Sequence, residues 1–135
     1  YTHQRQRSNK QMKLTTFSII WAVIYIGFGL GLLIIPAQFM ATYGLTLDIN
    51  GMLMARSLGI ALISNALLFW WNKNIRQTEK SQRNILLANF IYNLVVTPVV
   101  LMATLNGVMS SMGWIPVGLH IFLAVTFGYF AFKKD

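Results

Sequence analysis

Four long apolar runs restrict this chain to one kind of fold. They cover residues 14–35, 51–71, 85–105 and 114–132, and each is about 20 residues long. A helix of that length crosses about 30 Å of hydrocarbon, because it rises about 1.5 Å per residue. Lipid offers the backbone no hydrogen-bond partner, so such runs must be helical. The sequence therefore predicts an all-α integral membrane four-helix bundle, with residues 14–135 as a single transmembrane domain.

The composition excludes the common soluble classes. Hydrophobic residues make up 56% of the chain and charged residues only 10%, against about 25% charged in a typical soluble domain. A soluble domain of this size could not bury so much apolar surface, since small domains expose a large share of theirs. The absence of cysteine excludes disulfides, thiolate metal sites and a cysteine nucleophile.

The positive charge is confined to segments between the runs. Ten of the eleven Lys and Arg lie in a basic tail (residues 1–13), in the second loop (72–84) and at the C-terminus (133–135). With four spans these clusters share one side, which the positive-inside rule makes cytoplasmic or its organellar equivalent. The sequence thus predicts an N-in/C-in protein of a bacterial inner membrane or an organellar membrane. Such flanking charge favours lipid headgroups over nucleic acid.

Two connecting segments carry further expectations. The basic tail is too polar to fold alone and is expected to become ordered on a partner or on anionic headgroups. The first outer loop, residues 37–50, is long enough for a short interfacial helix, with Pro36 at its start and Gly44 as its C-terminal cap. Tyr43 in that loop is expected at the level of an interfacial aromatic belt.

Small residues four apart predict where the helices touch. In lipid, helices associate through close packing, which small side chains permit. Contact within the bundle is one interpretation and contact with a partner subunit is the other. The spaced pairs are Gly27 and Gly31, Ala55 and Gly59, and Ala124 and Gly128.

Three asparagines form a predicted inner polar layer. Asn65 lies on the second span, and Asn89 and Asn93 lie four residues apart on one face of the third. Polar side chains inside a membrane are costly and are therefore candidates for function. The residues predict a structural hydrogen-bond clamp between the two helices, with ligand binding or pigment ligation as the alternative.

Arg56, Thr97 and His120 form a predicted outer layer at similar depth. Arg56 is the only charge within a span, and Asp48 is the only acidic residue on that side. Three interpretations stay open: an Arg56–Asp48 pair that holds the loop over the bundle, a cationic pocket for an anionic or carboxylate ligand, and a contact with another subunit. Snorkelling toward the outer surface would lower the cost of the charge.

His120 is also a candidate ligand for the iron of haem or the magnesium of chlorophyll. His3, the other histidine, lies on the opposite side, which excludes a bis-histidine haem within one chain. The alternative is a hydrogen-bonded packing residue. No other metal site and no certain cofactor is predicted; chlorophyll, haem and lipid are the candidates.

No motif predicts catalysis. The chain has no Walker loop, no Rossmann glycine pattern, no HExxH and no nucleophile elbow. No acidic residue lies within a span, so a carboxylate proton relay is unsupported. The protein is not expected to be an enzyme.

A resemblance adds to this interpretation. The stretch GFGLGLL at residues 27–33, Pro36, the pair Tyr43 and Gly44, and ARSLG at residues 55–59 together resemble small, uncharacterised four-helix membrane proteins of the DoxX-like type. The resemblance covers about a third of the chain. It implies a compact four-helix bundle and no defined activity, so no catalytic residue is carried over.

Three functions remain. The first is a non-catalytic subunit that packs into and stabilises a larger membrane complex of respiratory or photosynthetic type, with lipids and other membrane subunits as its partners. The second is a small binding or transport protein for a lipophilic or anionic ligand. The third is a pigment-binding or cofactor-binding subunit that uses His120 or the asparagines.

Overall fold

The computed structural model describes residues 2–76 and 79–133, and within them every regular element is helical. Four of the helices are long and apolar enough to cross a membrane, which confirms the predicted all-α fold. The fifth, α2, is a short helix in the first connection, and a 3₁₀ turn at Ser111–Gly113 leads into the last helix. The helices are α1 (Thr2–Ile34), α2 (Pro36–Ala41), α3 (Ile49–Asn72), α4 (Lys80–Leu105) and α5 (Trp114–Phe132).

Two helices begin well before their apolar runs, and α3 begins two residues before its own. The backbone of α1 is helical from Thr2, although the basic tail was expected to need a partner for order. Helix α4 begins at Lys80, five residues before the apolar run that starts at residue 85. Extending a helix costs little once its first turn exists, so an apolar span can carry a polar extension. Tyr1 and two residues of the C-terminal basic cluster, Lys134 and Asp135, lie outside the described residues.

Two contacts fix the ends of the bundle. At one end the Thr15 hydroxyl donates a hydrogen bond of 2.8 Å to the backbone carbonyl of Lys73. At the other, the backbone N–H of Ser110 donates a bond of 2.8 Å to the carbonyl of Tyr43. Successive long helices therefore run in opposite directions, so that α1 and α4 are parallel. We call the Thr15–Lys73 end the basic end and the other the Tyr43 end.

Helices α1 and α3 cross at two glycines. A Cβ placed on Gly59 would lie 2.6 Å from the backbone oxygen of Gly29, so neither helix tolerates a side chain there. The predicted contact pair on α1 is thus corrected. Gly27 has nothing within 4 Å of its Cβ position, and Gly31 lies against the Phe39 ring of α2. Glycine occupies residues 27, 29 and 31, and spacing alone could not show which of them lies at the crossing with α3.

Helices α4 and α5 form the second close pair. The ring of Phe90 lies 3.1 Å from the Cβ position of Gly128. The two pairs then meet through aromatic side chains: Phe69 of α3 stacks on Phe127 of α5, with ring centroids 5.5 Å apart. Phe17 of α1 packs edge-on against the same Phe127 ring at 5.2 Å. The aromatic core therefore joins the two pairs on the side of the bundle nearer the basic end.

Candidate functional site: a polar network across four helices

Asn89 of α4 is the centre of a hydrogen-bond network inside the bundle. Its Oδ1 accepts a bond of 2.9 Å from Nδ2 of Asn65 on α3. The Tyr25 hydroxyl of α1 donates a longer bond of 3.5 Å to the same oxygen. The Asn89 amide nitrogen donates to the carbonyl of Ile85, one turn back in its own helix. One side chain thus links three helices.

Asn93, one turn further along α4, extends the network to the fourth long helix. It is fully buried, and its Nδ2 donates a bond of 2.7 Å to the backbone oxygen of Asn89. Its Oδ1 lies 2.8 Å from Nδ1 of His120 on α5. The asparagine clamp predicted between two helices therefore has contacts to all four.

The hydrogen-bond pattern decides the tautomer of His120. The Asn93 amide donates to the backbone, so its oxygen faces the imidazole and can only accept. Nδ1 of His120 must then carry the hydrogen. In the neutral ring this leaves a lone pair on Nε2, which has no hydrogen-bond partner among the described residues. Nε2 is thus an acceptor in the network that remains open to a ligand.

The network exists because α4 places polar side chains at helical spacing on its inward face. Asn89 and Asn93 are buried at 6% and 0% exposure, and Thr104 lies further along at 9%. Residues four apart share a face, and each of these side chains also donates a hydrogen bond to the backbone carbonyl four residues before it. In a membrane such satisfaction is required, because each unpaired polar group costs several kcal/mol.

Two members of the predicted outer layer, Thr97 and His120, belong to the same network as the asparagines. Depth counted from the ends of the runs separated His120 from the asparagines. Gly113 packs against the Thr104 hydroxyl, so α5 starts beside Thr104. His120 follows Gly113 by seven residues and Thr97 precedes Thr104 by seven, so His120 and Thr97 lie at the same level. The imidazole of His120 then reaches one further turn along α4 to Asn93. The Thr97 hydroxyl donates to the carbonyl of Asn93 at 2.7 Å.

The structure does not bring Arg56 to the network or to Asp48. Arg56 is exposed on α3, and among the described residues nothing pairs with its guanidinium. Asp48 is the N-cap of α3, where its Oδ1 accepts a 2.6 Å bond from the backbone N–H of Gly51. The Asp48 carboxylate thus caps the helix start, and the described residues show no ion pair between it and Arg56. The Arg56, Thr97 and His120 pocket likewise has no contact that joins its members.

Three residues of the interior escaped the sequence analysis. Tyr25 looked like an ordinary core aromatic residue, although its hydroxyl reaches Asn89. Ser18 of α1 and Gln82 of α4 are buried at 0% and 1% exposure, and Ser18 Oγ and Gln82 Oε1 have no hydrogen-bond partner. Gln82 falls in the segment read as a polar loop. The available signal was its position seven residues before Asn89, on the same helical face.

The described residues contain no group of three or more His, Cys, Asp or Glu side chains that could hold a metal ion. A metal centre at His120 would therefore take its other ligands from a macrocycle or another chain.

Outside the spans, burial raises the pKa of the Tyr43 phenol above its usual value. That phenol consequently stays neutral at physiological pH.

Comparison of the chain with protein-family models, with characterised proteins and with solved structures gives no match. The similarity to DoxX-like proteins therefore remains a prediction from the residues that suggested it. Two features of the described residues bear on function: the polar network inside the bundle, and the guanidinium of Arg56 without a partner on the outward face of a span.

Proposed function

We propose that this chain is a non-catalytic integral membrane subunit that packs into and stabilises a larger membrane complex. The observation that carries this proposal is Arg56, which projects from the outward face of α3 without a partner in the described part of the chain. That face also carries Leu53 and Ile60, which are 59% and 55% exposed. The interior groups serve to hold the four helices together.

The energetics of Arg56 favour a partner. It lies seven residues into α3, about 10 Å from the helix start at 1.5 Å per residue. An unpaired charge near the centre of a span costs about 2.5–3.5 kcal/mol on insertion scales. Ser57 and Ser64 share the face but donate to carbonyls of their own helix at 3.0 Å, so they are compatible with lipid. At this depth Arg56 either snorkels toward the outer surface or, as we propose, pairs with a carboxylate of a neighbouring subunit.

The exposed area of the spans supports the same proposal. Between 17% and 33% of each span is buried inside the chain, so most of the helical surface faces outward. The basic segments and both chain ends meet the cytoplasmic side in this proposal, and α2 lies at the opposite interface. The host membrane is a bacterial inner membrane or an organellar membrane.

Replacement of Arg56 tests the proposal. In mild detergent the native chain is expected to run in an assembly heavier than its own 15.3 kDa. Arg56→Leu should weaken that assembly at least about tenfold, equivalent to about 1.4 kcal/mol, because a desolvated charge pair is lost. The melting temperature of the isolated chain should not fall, since Arg56 is exposed and has no hydrogen-bond or ion-pair partner among the described residues. Native mass spectrometry measures the assembly.

Arg83→Leu is the matched control, because it removes an exposed charge at the basic end and should leave the assembly intact. In the Arg56→Lys variant, carbodiimide should join the introduced amine to a carboxylate of the partner. A native chain that is monomeric in membranes by cross-linking, or an assembly that survives Arg56→Leu, would contradict the proposal. Assembly without a carbodiimide product would point to lipid phosphate at Arg56.

The open Nε2 of His120 favours a second candidate function, that of a cofactor-binding subunit. The bond to Asn93 makes Nδ1 of His120 a hydrogen-bond donor. A histidine that binds a metal through one ring nitrogen usually donates a hydrogen bond from the other. Nε2 carries a lone pair and no hydrogen, so it cannot donate the hydrogen bond that an anion would accept. The ligand would be the metal of haem or chlorophyll, or the hydroxyl of a lipophilic molecule.

A haem titration checks this candidate. The purified chain should shift the Soret band of ferric protoporphyrin, and His120→Ala should abolish the shift because the axial ligand is removed. His3→Ala is the control, and it should bind normally. A shift that persists in His120→Ala would exclude His120 as the ligand. No shift in the native chain would exclude haem.

A further inference from the structure

Two buried polar atoms without partners occupy the bundle near its basic end. Ser18 Oγ lies on α1 and Gln82 Oε1 on α4, and their residues are 0% and 1% exposed. Most buried polar groups in proteins find a hydrogen-bond partner, so each exception calls for an explanation. Two exceptions in one bundle, at the same end, point to a common cause.

The register of the helices places the two residues at the same level of the bundle. Tyr25 of α1 contacts Asn89 of α4, which aligns the two parallel helices. Ser18 and Gln82 each lie seven residues before that contact, which is about two turns and about 10.5 Å. Seven residues also return a helix to almost the same face. Ser18 and Gln82 are therefore the next buried polar residues toward the basic end, at one level on the inward faces of α1 and α4.

The chemistry of the pair determines what can lie between its members. The Gln82 oxygen only accepts, whereas a serine hydroxyl both donates and accepts. One water molecule can donate to the Gln82 oxygen and accept from the Ser18 hydroxyl. A cation suits oxygen ligands, but the nearby charges, Lys73, Arg76, Lys80 and Arg83, would repel it.

We propose that Ser18 and Gln82 form an internal binding site for water, which bridges α1 and α4 at the basic end of the bundle. Buried waters typically serve polar groups that the protein leaves unpaired. The site continues the line of Tyr25, Asn89 and Asn93, so hydrogen-bonding groups extend from the basic end to His120. This inference does not depend on the proposed subunit function, because it concerns groups that no partner can reach.

Radiolytic hydroxyl labelling of the full chain is the direct test, since a bound water generates radicals beside it. Leu14 and Leu86 lie one turn from Ser18 and Gln82 and are both 0% exposed. They should be labelled despite their burial. Leu123, 1% exposed in the core, is the matched control and should remain unlabelled. Labelling of Leu14 and Leu86 no greater than that of Leu123 would overturn the proposal.

Substitution of Ser18 should change the melting temperature differently with and without a bound water. With water bound, Ser18→Ala should lower the melting temperature by a few degrees, and Ser18→Ala combined with Gln82→Met should lower it little further. Without water, Ser18→Ala should leave the melting temperature unchanged or raise it, because an unpaired hydroxyl is deleted. Ser64→Ala, whose hydroxyl is satisfied on the outer face, is the control. A lowered melting temperature without labelling would indicate a direct Ser18–Gln82 bond and reject the water.

Discussion

Gly59→Leu is expected to separate α1 from α3 and to lower the free energy of unfolding by about 3 kcal/mol or more. A Cβ on Gly59 would lie 2.6 Å from the Gly29 backbone oxygen and 3.0 Å from the Leu33 backbone nitrogen. Both neighbours are backbone atoms, so the helices themselves would have to move. Unfolding of the purified chain in bicelles, followed by steric trapping, measures the loss.

Gly27→Ala is the matched control for this prediction. Gly27 lies on α1 close to Gly29, but the space around its Cβ position is open. Alanine is the better helix former by about 0.8–1.0 kcal/mol, so stability should rise slightly. If Gly27→Ala destabilised the protein as much as Gly59→Leu, the assigned crossing of α1 and α3 would be incorrect.

Asn89→Leu should have the second largest effect, a loss of about 1–3 kcal/mol in the free energy of unfolding. The substitution removes the acceptor of the Asn65 amide and of the Tyr25 hydroxyl. Membrane hydrogen bonds average only about 0.6 kcal/mol. The larger part of the loss comes from the Asn65 donor that is left unpaired, which costs about 1–3 kcal/mol.

A double variant separates the two contributions. Asn65→Leu with Asn89→Leu removes both partners, which can be nearly neutral for a buried pair. The double variant should therefore be no less stable than Asn89→Leu alone. Losses that simply add would show that the two asparagines act independently, in conflict with the network. Ser64→Ala, on the outer face of α3, should change little and controls for loss of a polar group.

Much of the fold follows from the sequence, because lipid removes almost every alternative to helices. The first predicted span ends at residue 35 and the observed α1 at Ile34. Pro36 begins the short α2 as expected. The N-terminal parts of α1 and α4 were not predicted. Hydropathy shows which part of a helix lies in lipid, but it does not show where the backbone hydrogen bonds of the helix begin.

The asparagines, Thr97 and His120 of the candidate site were predicted, but Tyr25 and the connections between the members were not. Asn89 and Asn93 were recognisable, since their four-residue spacing and their cost in lipid are visible in the chain. The bond between Asn93 and His120 was not, because it depends on how far α5 slides along α4. The cap at Asp48 was not predicted either, although a backbone N–H three residues on is a common partner for an aspartate at a helix start.

Labelling of single cysteines tests most directly the claim that four spans place the basic segments on one face. The chain has no cysteine of its own, so each introduced thiol reports one position. In intact cells or organelles, a membrane-impermeant maleimide should label Thr46→Cys and Asn106→Cys but reach Asn74→Cys only after permeabilisation. Labelling of Asn74→Cys together with Thr46→Cys in intact membranes would contradict the account.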